Sequence, residues 1–418
     1  MALISALDGI PLLHAWRYRA ATTGKPFAVA GGRALSLRPI GILSTAAFCV
    51  AACLRITDPL LPDVARAFGV GIGAASVVVT AFAFAYGLAQ VAYGPIGDRF
   101  GKYGVIAGAM TLSALFIAAA ATAPTLMALA WLRLAAGAST AAILPLALAY
   151  VGDVVPYEHR QAVLARILSG QLLGVIFGQA AGGVLIGYVS WRIVFLILGA
   201  IFAVVASLLW IEFRSPRVVR LRAPAPLAPG ALIRQYAALA AASRSRAVLL
   251  AIFVEGFLFF GMLAYFGAFL RRDFAIGYVA VGLILGCFGL GGLAYSLAAR
   301  RIVPRFGEAG MMRLGGLGLA AGLLALALVP SWSGAVPVMA ALGFALYMFH
   351  NTLQTKATQM APASRGAAVS LFYSCFFLGQ AIGAPLIGVG IERCGYGFVF
   401  TTAGIGLLAL GRWFARQF

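Results

Sequence analysis

Residues 177–187 read FGQAAGGVLIG, and at 378–388 the chain reads LGQAIGAPLIG. Gly178, Gln179, Gly182 and Gly187 in the first segment answer to Gly379, Gln380, Gly383 and Gly388 in the second. A further correspondence pairs Arg99, Phe100 and Gly101 with Arg305, Phe306 and Gly307, Gly137 with Gly343, and Pro156 with Pro362. Repetition of this kind marks a duplicated unit, so two related halves are expected. In duplicated membrane transporters the substrate site lies near the bilayer midplane between the halves.

The composition says what surrounds those halves. The chain has 418 residues, 63% of them hydrophobic and 10% charged, whereas a soluble domain has about 45–50% apolar and 25% charged residues. So little charge cannot cover a water-facing surface. A bilayer core about 30 Å thick needs roughly 20 mostly apolar residues per crossing helix. Such runs fall at 38–58, 74–95, 103–122, 125–151, 162–188, 192–212, 247–269, 277–299, 311–330, 334–355, 366–390 and 396–414. They are too long and unbroken for the alternating strands of a membrane barrel. The expected fold is an all-α membrane protein of 12 transmembrane helices in two pseudo-symmetric six-helix bundles. Its expected parts are an N-terminal extension over 1–37, a first bundle over 38–212, a linker over 213–246 (RSPRVVRLRAPAPLAP at its start) and a second bundle over 247–418.

A formal charge of +20 raises the question of a nucleic-acid partner. The basic residues instead fall in alternate loops: about 24 of the 31 Lys and Arg lie in the N-terminal segment, the C-terminus and the even-numbered loops. This asymmetry places both termini in the cytoplasm and leaves anionic membrane lipid, with no nucleic acid, as the implied partner. Cys49, Cys53, Cys287, Cys375 and Cys394 have no metal-binding spacing and read as small core residues. No metal, cofactor or enzymatic triad is expected.

The loop after the second run reads YGPIGDRFGKYG, over 93–104. Gly94, Asp98, Arg99, Gly101 and Lys102 match the first signature of the major facilitator superfamily, GxxxDRxGR[KR], with Tyr103 in place of a second basic residue. The resemblance implies a conformational latch: Gly94 for close helix approach, Gly101 for a tight turn, and charges that pair with a neighbouring helix end. In the second half Pro304 replaces the acid. RLAAG, from Arg133 to Gly137, resembles the family's RxxxG signature and implies a role in proton coupling, against a guanidinium that merely snorkels. Gly174, Gly178, Gly182 and Gly183 are similar to the antiporter signature GxxxGPxxGG, with Gln179 replacing Pro. LRITDPLLPDVARAFG, over 54–69, resembles the TDxxLP pattern of the multidrug-efflux branch. Arg55 and Asp58, three apart, can pair on one helix face; Asp58 is either a proton-binding carboxylate or one partner of a helix-end ion pair before Pro59, with Asp63 in the loop beyond.

Two further positions carry chemistry. Glu255 is the clearest isolated acid of the second half, and an acid inside a span is a functional candidate by default. His350, Asn351 and Gln354 bring hydrogen-bonding groups into an apolar run, with His350 and Gln354 on one face; Gln171, Gln179 and Gln380 are candidate companions in a substrate cavity with Arg55. The nearby Phe257, Phe259, Phe260, Tyr265 and Phe266 read as lipid-facing or core. The sequence thus leads to a secondary transporter of the bacterial inner membrane, monomeric, with Asp58, Arg133 and Glu255 as proton-coupling candidates and a proton gradient as energy source. The motifs imply export of drug-like or amphipathic small molecules in exchange for protons. The rivals are uptake of a metabolite by proton symport or facilitation, and a sensor or scaffold that no longer transports.

Overall fold

The computed structural model describes residues 37–216, 218, 229–361 and 365–417. The extension read over 1–37 lies outside them except for Leu37, as do 219–228 of the linker and Pro362. No strand occurs among the described residues. Ten helices are long and apolar enough to cross a membrane. Six form the first half: α1 (Leu37–Phe68), α2 (Ile72–Phe100), α3 (Lys102–Ala120), α4 (Leu126–Val154), α5 (Tyr157–Ile186) and α6 (Trp191–Phe213). In the second half α7 (Ser245–Phe274) and α10 (Trp332–Gln359) are separate, while Tyr278–Leu328 and Arg365–Phe414 run to 51 and 50 residues. Each of these two is broken by a glycine with left-handed backbone, Gly307 (φ 62°) and Gly395 (φ 81°). The breaks divide them into α8 (278–306) and α9 (308–328), and α11 (365–394) and α12 (396–414). Divided at these glycines, the described residues give twelve long apolar helices, six in each half.

Three local expectations change. The first helix does not end before Pro59 but continues ten residues further to Phe68, through Pro59 and Pro62. Asp63 is therefore on a helix, paired with Arg66 at 3.2 Å, and not in a loop. The linker is not wholly irregular, since Pro229–Ala241 forms a helix.

The sequence repeat reappears as repeated contacts. Gly101 (φ 90°) and Gly307 occupy equivalent positions and both take a left-handed turn, a conformation open to residues without Cβ. A Cβ on Gly178 would stand 2.6 Å from the carbonyl oxygen of Ala52, and one on Gly379 would strike that of Phe253; Gly182 meets the Ile56 carbonyl as Gly383 meets that of Phe257. Gly137 likewise sits on the Phe82 carbonyl and Gly343 on that of Phe288. Helices α5 and α11 thus dock on α1 and α7, and α4 and α10 on α2 and α8, at backbone-to-backbone range. In lipid, where apolar burial between helices gains little, such close packing is a main source of association. Gly178→Leu is expected to destabilise the protein by about 1–3 kcal/mol through overpacking. Gly108→Leu, where a Cβ meets nothing within 4 Å, should leave thermal unfolding of the detergent-purified protein unchanged. Equal melting temperatures for the two variants would remove the packing role of the stripe.

Contacts between the halves lie toward one end. There Gly282 packs on Gly183 and Gly388 on Gly73, each so closely that a Cβ would stand 2.8 and 2.7 Å from the partner Cα. Gly73 N–H donates to Glu392 Oε1 at 2.9 Å, and Arg66 Nη2 donates to the Tyr278 hydroxyl at 2.9 Å. Midway, Ser374 Oγ donates to the Gly87 carbonyl at 2.7 Å. At the opposite end, which carries the basic loops, the ion pairs stay within a half: Lys102 with Asp98 and Asp153, Arg38 with Glu212, and Lys356 with Glu308. Gly94, read as a close-approach position, faces open space there.

Candidate functional site

The persistence of α1 past residue 58 determines the first half of the site. Arg55 and Asp58 sit inside the bundle at 3% and 1% exposure. Pro59 and Pro62 offer no N–H to the carbonyls four residues earlier, those of Arg55 and Asp58 themselves, so both residues stand at a loosened stretch of helix. Asp58 is thus a buried carboxylate and not the partner of a helix-end pair. The ion pair is itself loose. Arg55 Nη1 and Asp58 Oδ2 are 3.6 Å apart, beyond the 2.7–2.9 Å of a charge-assisted hydrogen bond. Gln179 lies beside Asp58, yet neither its amide nor the carboxylate makes a hydrogen bond of ordinary geometry.

Arg133, on α4, faces inward at 1% exposure and does not snorkel. Its guanidinium stacks over Phe82 at 4.2 Å, with Nη1 at 3.6 Å from Cys53 Sγ and Nε at 3.5 Å from the Val78 carbonyl. A charged group at the centre of a span costs at least ~2.5 kcal/mol, and a desolvated cation–ring contact returns about 2 kcal/mol. Cys53 is a fully buried core residue, as read, and its sulfur also faces this guanidinium.

In the second half Glu255 is wholly buried, and both its carboxylate oxygens lie close to His350 Nδ1, at 3.2 and 3.3 Å. Immediately after Glu255 the helix widens into a π turn, Gly256–Phe260. Such turns are rare and concentrate at functional sites. One turn beyond His350, Gln354 Nε2 donates to the Tyr373 hydroxyl at 2.6 Å. Gln380 is buried at 1% exposure with neither amide atom hydrogen-bonded. Gln171 and Asn351 are half-buried.

Phe260 joins the two clusters. Its ring centroid is 4.7 Å from the Arg55 guanidinium and 6.1 Å from the His350 ring. A row of groups, Arg133, Asp58, Arg55, Phe260, His350 and Glu255, all buried but the part-exposed His350, therefore crosses from one half to the other. The structure thus brings together Arg55, Asp58, Arg133 and Gln179 on one side, and Glu255 and His350 on the other. The glycine stripe lies behind them, Gly174, Gly178 and Gly182 holding α5 to α1 within one half and Gly183 reaching Gly282 in the other.

The latch residues form a separate cluster at the basic end. Lys102 Nζ is 2.7 Å from Asp98 and from Asp153, at the end of α4, while Arg99 stacks on Phe100. The second half has a counterpart with its signs exchanged: Glu308, equivalent to Lys102, pairs with Lys356 on α10. Looking for the missing acid at Pro304 conceals this pair, because it is built one turn later and reversed. Partly exposed pairs contribute at most about 1 kcal/mol. Glu308→Lys should accordingly slow substrate turnover about fivefold, and adding Lys356→Glu should restore it. A double variant as slow as the single one would deny the pair a role in switching.

The arrangement is that of a two-bundle helical transporter, with buried ionisable groups on the axis between duplicated halves. Residues 43–384 match the family model described as Major Facilitator Superfamily, and the chain belongs to this family. Relatives in Bacillus subtilis (strain 168) are the uncharacterized MFS-type transporters YceJ, 24% identical over 80% of this chain and 84% of its own length, and YwfA, 24% identical over 60% and 61%. Among solved structures, the nucleoside transporter NupG superposes with a TM-score of 0.70 at 16% identity, over 91% of this chain and 98% of its own. The human organic anion transporter MFSD10 gives 0.66 at 20%, over 90% and 99%. A bacterial homologue of the human lysosomal transporter Spinster, inward-facing and unoccupied, gives 0.68 at 20%, over 91% of each chain. At these identities the likeness is one of fold.

Proposed function

We propose that this chain is a proton-coupled secondary transporter that carries small amphipathic molecules across the cytoplasmic membrane by alternating access. The observation that supports it most is the row of buried ionisable groups joining the halves, since charges are kept inside a membrane protein at a cost that only use repays. The basic loops assign their own end to the cytoplasm. On that reading the glycine-sealed end is the outer one.

The sign of the coupling follows from which groups meet the substrate. Exchange, the export reading implied by the antiporter-like glycines, needs a substrate that competes with protons for Asp58 and Glu255. Those glycines, however, chiefly hold α5 to α1. The placement of the acids favours cotransport instead: Asp58 pairs with Arg55, and Glu255 lies behind His350. A substrate that draws either base away leaves its acid to be neutralised by a proton, so both travel together. Proteoliposomes with a pH-sensitive dye inside separate the readings. Adding substrate outside at equal pH should acidify the lumen for cotransport; alkalinisation indicates exchange, and no pH change with any transported compound removes proton coupling.

A further inference from the structure

The two guanidiniums of the row, Arg55 and Arg133, have one carboxylate near them, Asp58, and the imidazole of His350 is the most accessible group of the row. His350 keeps 16% of its side chain accessible while Glu255 has none, and Arg55 keeps 4% against 1% for Asp58. A molecule entering between the halves therefore meets the imidazole of His350 before Glu255. Arg55 Nη1 has no hydrogen-bond acceptor at all. Arg133 adds a second buried guanidinium whose closest partners are neutral: a ring, a thiol and a carbonyl. Arg55 and Arg133 thus share one neighbouring carboxylate, Asp58, and an uncompensated guanidinium in a low-dielectric interior is costly until an anion joins it. Tyr347, near Arg55, and Tyr373, near Glu255, are hydroxyl neighbours of the two clusters. Aromatic rings pack beside both bases: Phe260, which touches each, packs against Phe376 at 4.6 Å, and Phe376 lies against His350 at 5.5 Å.

We propose that the substrate is an organic anion: a carboxylate carried on an apolar, ring-containing body, its charge received between Arg55 and His350 and its body lying along Phe260 and Phe376. A guanidinium with a free N–H and an imidazole backed by a carboxylate are suited to two charge-assisted hydrogen bonds to one carboxylate. The inference rests on the transport reading and takes its cotransport form, since an anion bound to Arg55 and His350 calls in the proton that neutralises the displaced acid.

The test uses three probes of one shape and different charge on the full-length purified protein: 2-naphthoate, 2-naphthamide and 2-naphthylmethylammonium. Calorimetry should show 2-naphthoate binding at least about tenfold more tightly than the amide, with the ammonium weakest. Arg55→Gln and His350→Gln should each narrow the preference for 2-naphthoate over 2-naphthamide about tenfold, a ratio that loss of folded protein, which lowers both alike, does not move. Preference for the ammonium, equal binding of all three, no binding of 2-naphthoate, or full 2-naphthoate affinity in both variants overturns the proposal. Proteoliposomes keep this result apart from the transport reading. A probe that binds but is never carried defeats transport and leaves the anion site standing, whereas an ammonium probe carried with protons defeats the anion and leaves transport standing.

Discussion

Glu255→Gln is expected to reduce proton-driven transport about a hundredfold, the scale of loss when a proton-transferring side chain is removed, while substrate counterflow without a gradient stays within a few-fold of wild type. The side chain is wholly buried and its two oxygens face one imidazole nitrogen. Glutamine preserves the size and one acceptor oxygen, so His350 retains a partner and the π turn that follows need not move. What disappears is the ability to gain and lose a proton against His350. Counterflow needs only binding and rocking of the halves, which the loose contacts at the basic end permit in either variant. The check is paired measurement in the same proteoliposomes, with and without a pH step. Proton-driven accumulation at the wild-type level would take Glu255 out of the coupling path, whereas equal loss of counterflow would make it a residue of substrate binding or packing.

Asp58→Asn should be costly in a different manner, lowering stability by about 3–5 kcal/mol, the penalty for stripping one partner from a buried ion pair. Arg55 at 3% and Arg133 at 1% exposure would remain as buried guanidiniums with no carboxylate beside them. Arg55→Met with Asp58→Leu removes the pair as a unit and should regain more than half of the lost melting temperature, because apolar groups of similar volume often replace a buried pair without penalty. Transport should stay absent in both. If the single variant melts like wild type, the 3.6 Å pair contributes nothing to folding and Asp58 is held for another reason.

How far the sequence announced all this depends on the kind of signal. Crossing number and duplication are written in local runs and in glycines at a fixed spacing, and three of the repeated pairs, Gly178 with Gly379, Gly182 with Gly383 and Gly137 with Gly343, rest on equivalent carbonyls. Arg133, Asp58 and Glu255 were visible singly, because an ionisable residue in an apolar run is conspicuous by itself. Their partners were not. Glu255 and His350 are 95 residues apart on different helices, and nothing in either segment specifies that α7 and α10 put them face to face. Phe260 was obscured by the aromatic residues around it, since composition cannot tell a ring over a guanidinium from one in the core. The length of α1 was misjudged because proline normally ends helices, whereas here neighbouring helices hold the chain helical through two of them.

The wide turn at 256–260 gives α7 a property its neighbours lack. A helix with one surplus residue in a turn can pass that surplus along by a residue at a time, and each step turns the residue it passes by roughly 100° about the axis, the angular share of a residue in a 3.6-residue turn, while the flanks keep their orientation. Glu255 lies on one flank and Phe260 within the turn itself. Passage of the surplus past Phe260 would swing its ring clear of Arg55 while Glu255, on the flank, keeps hold of His350.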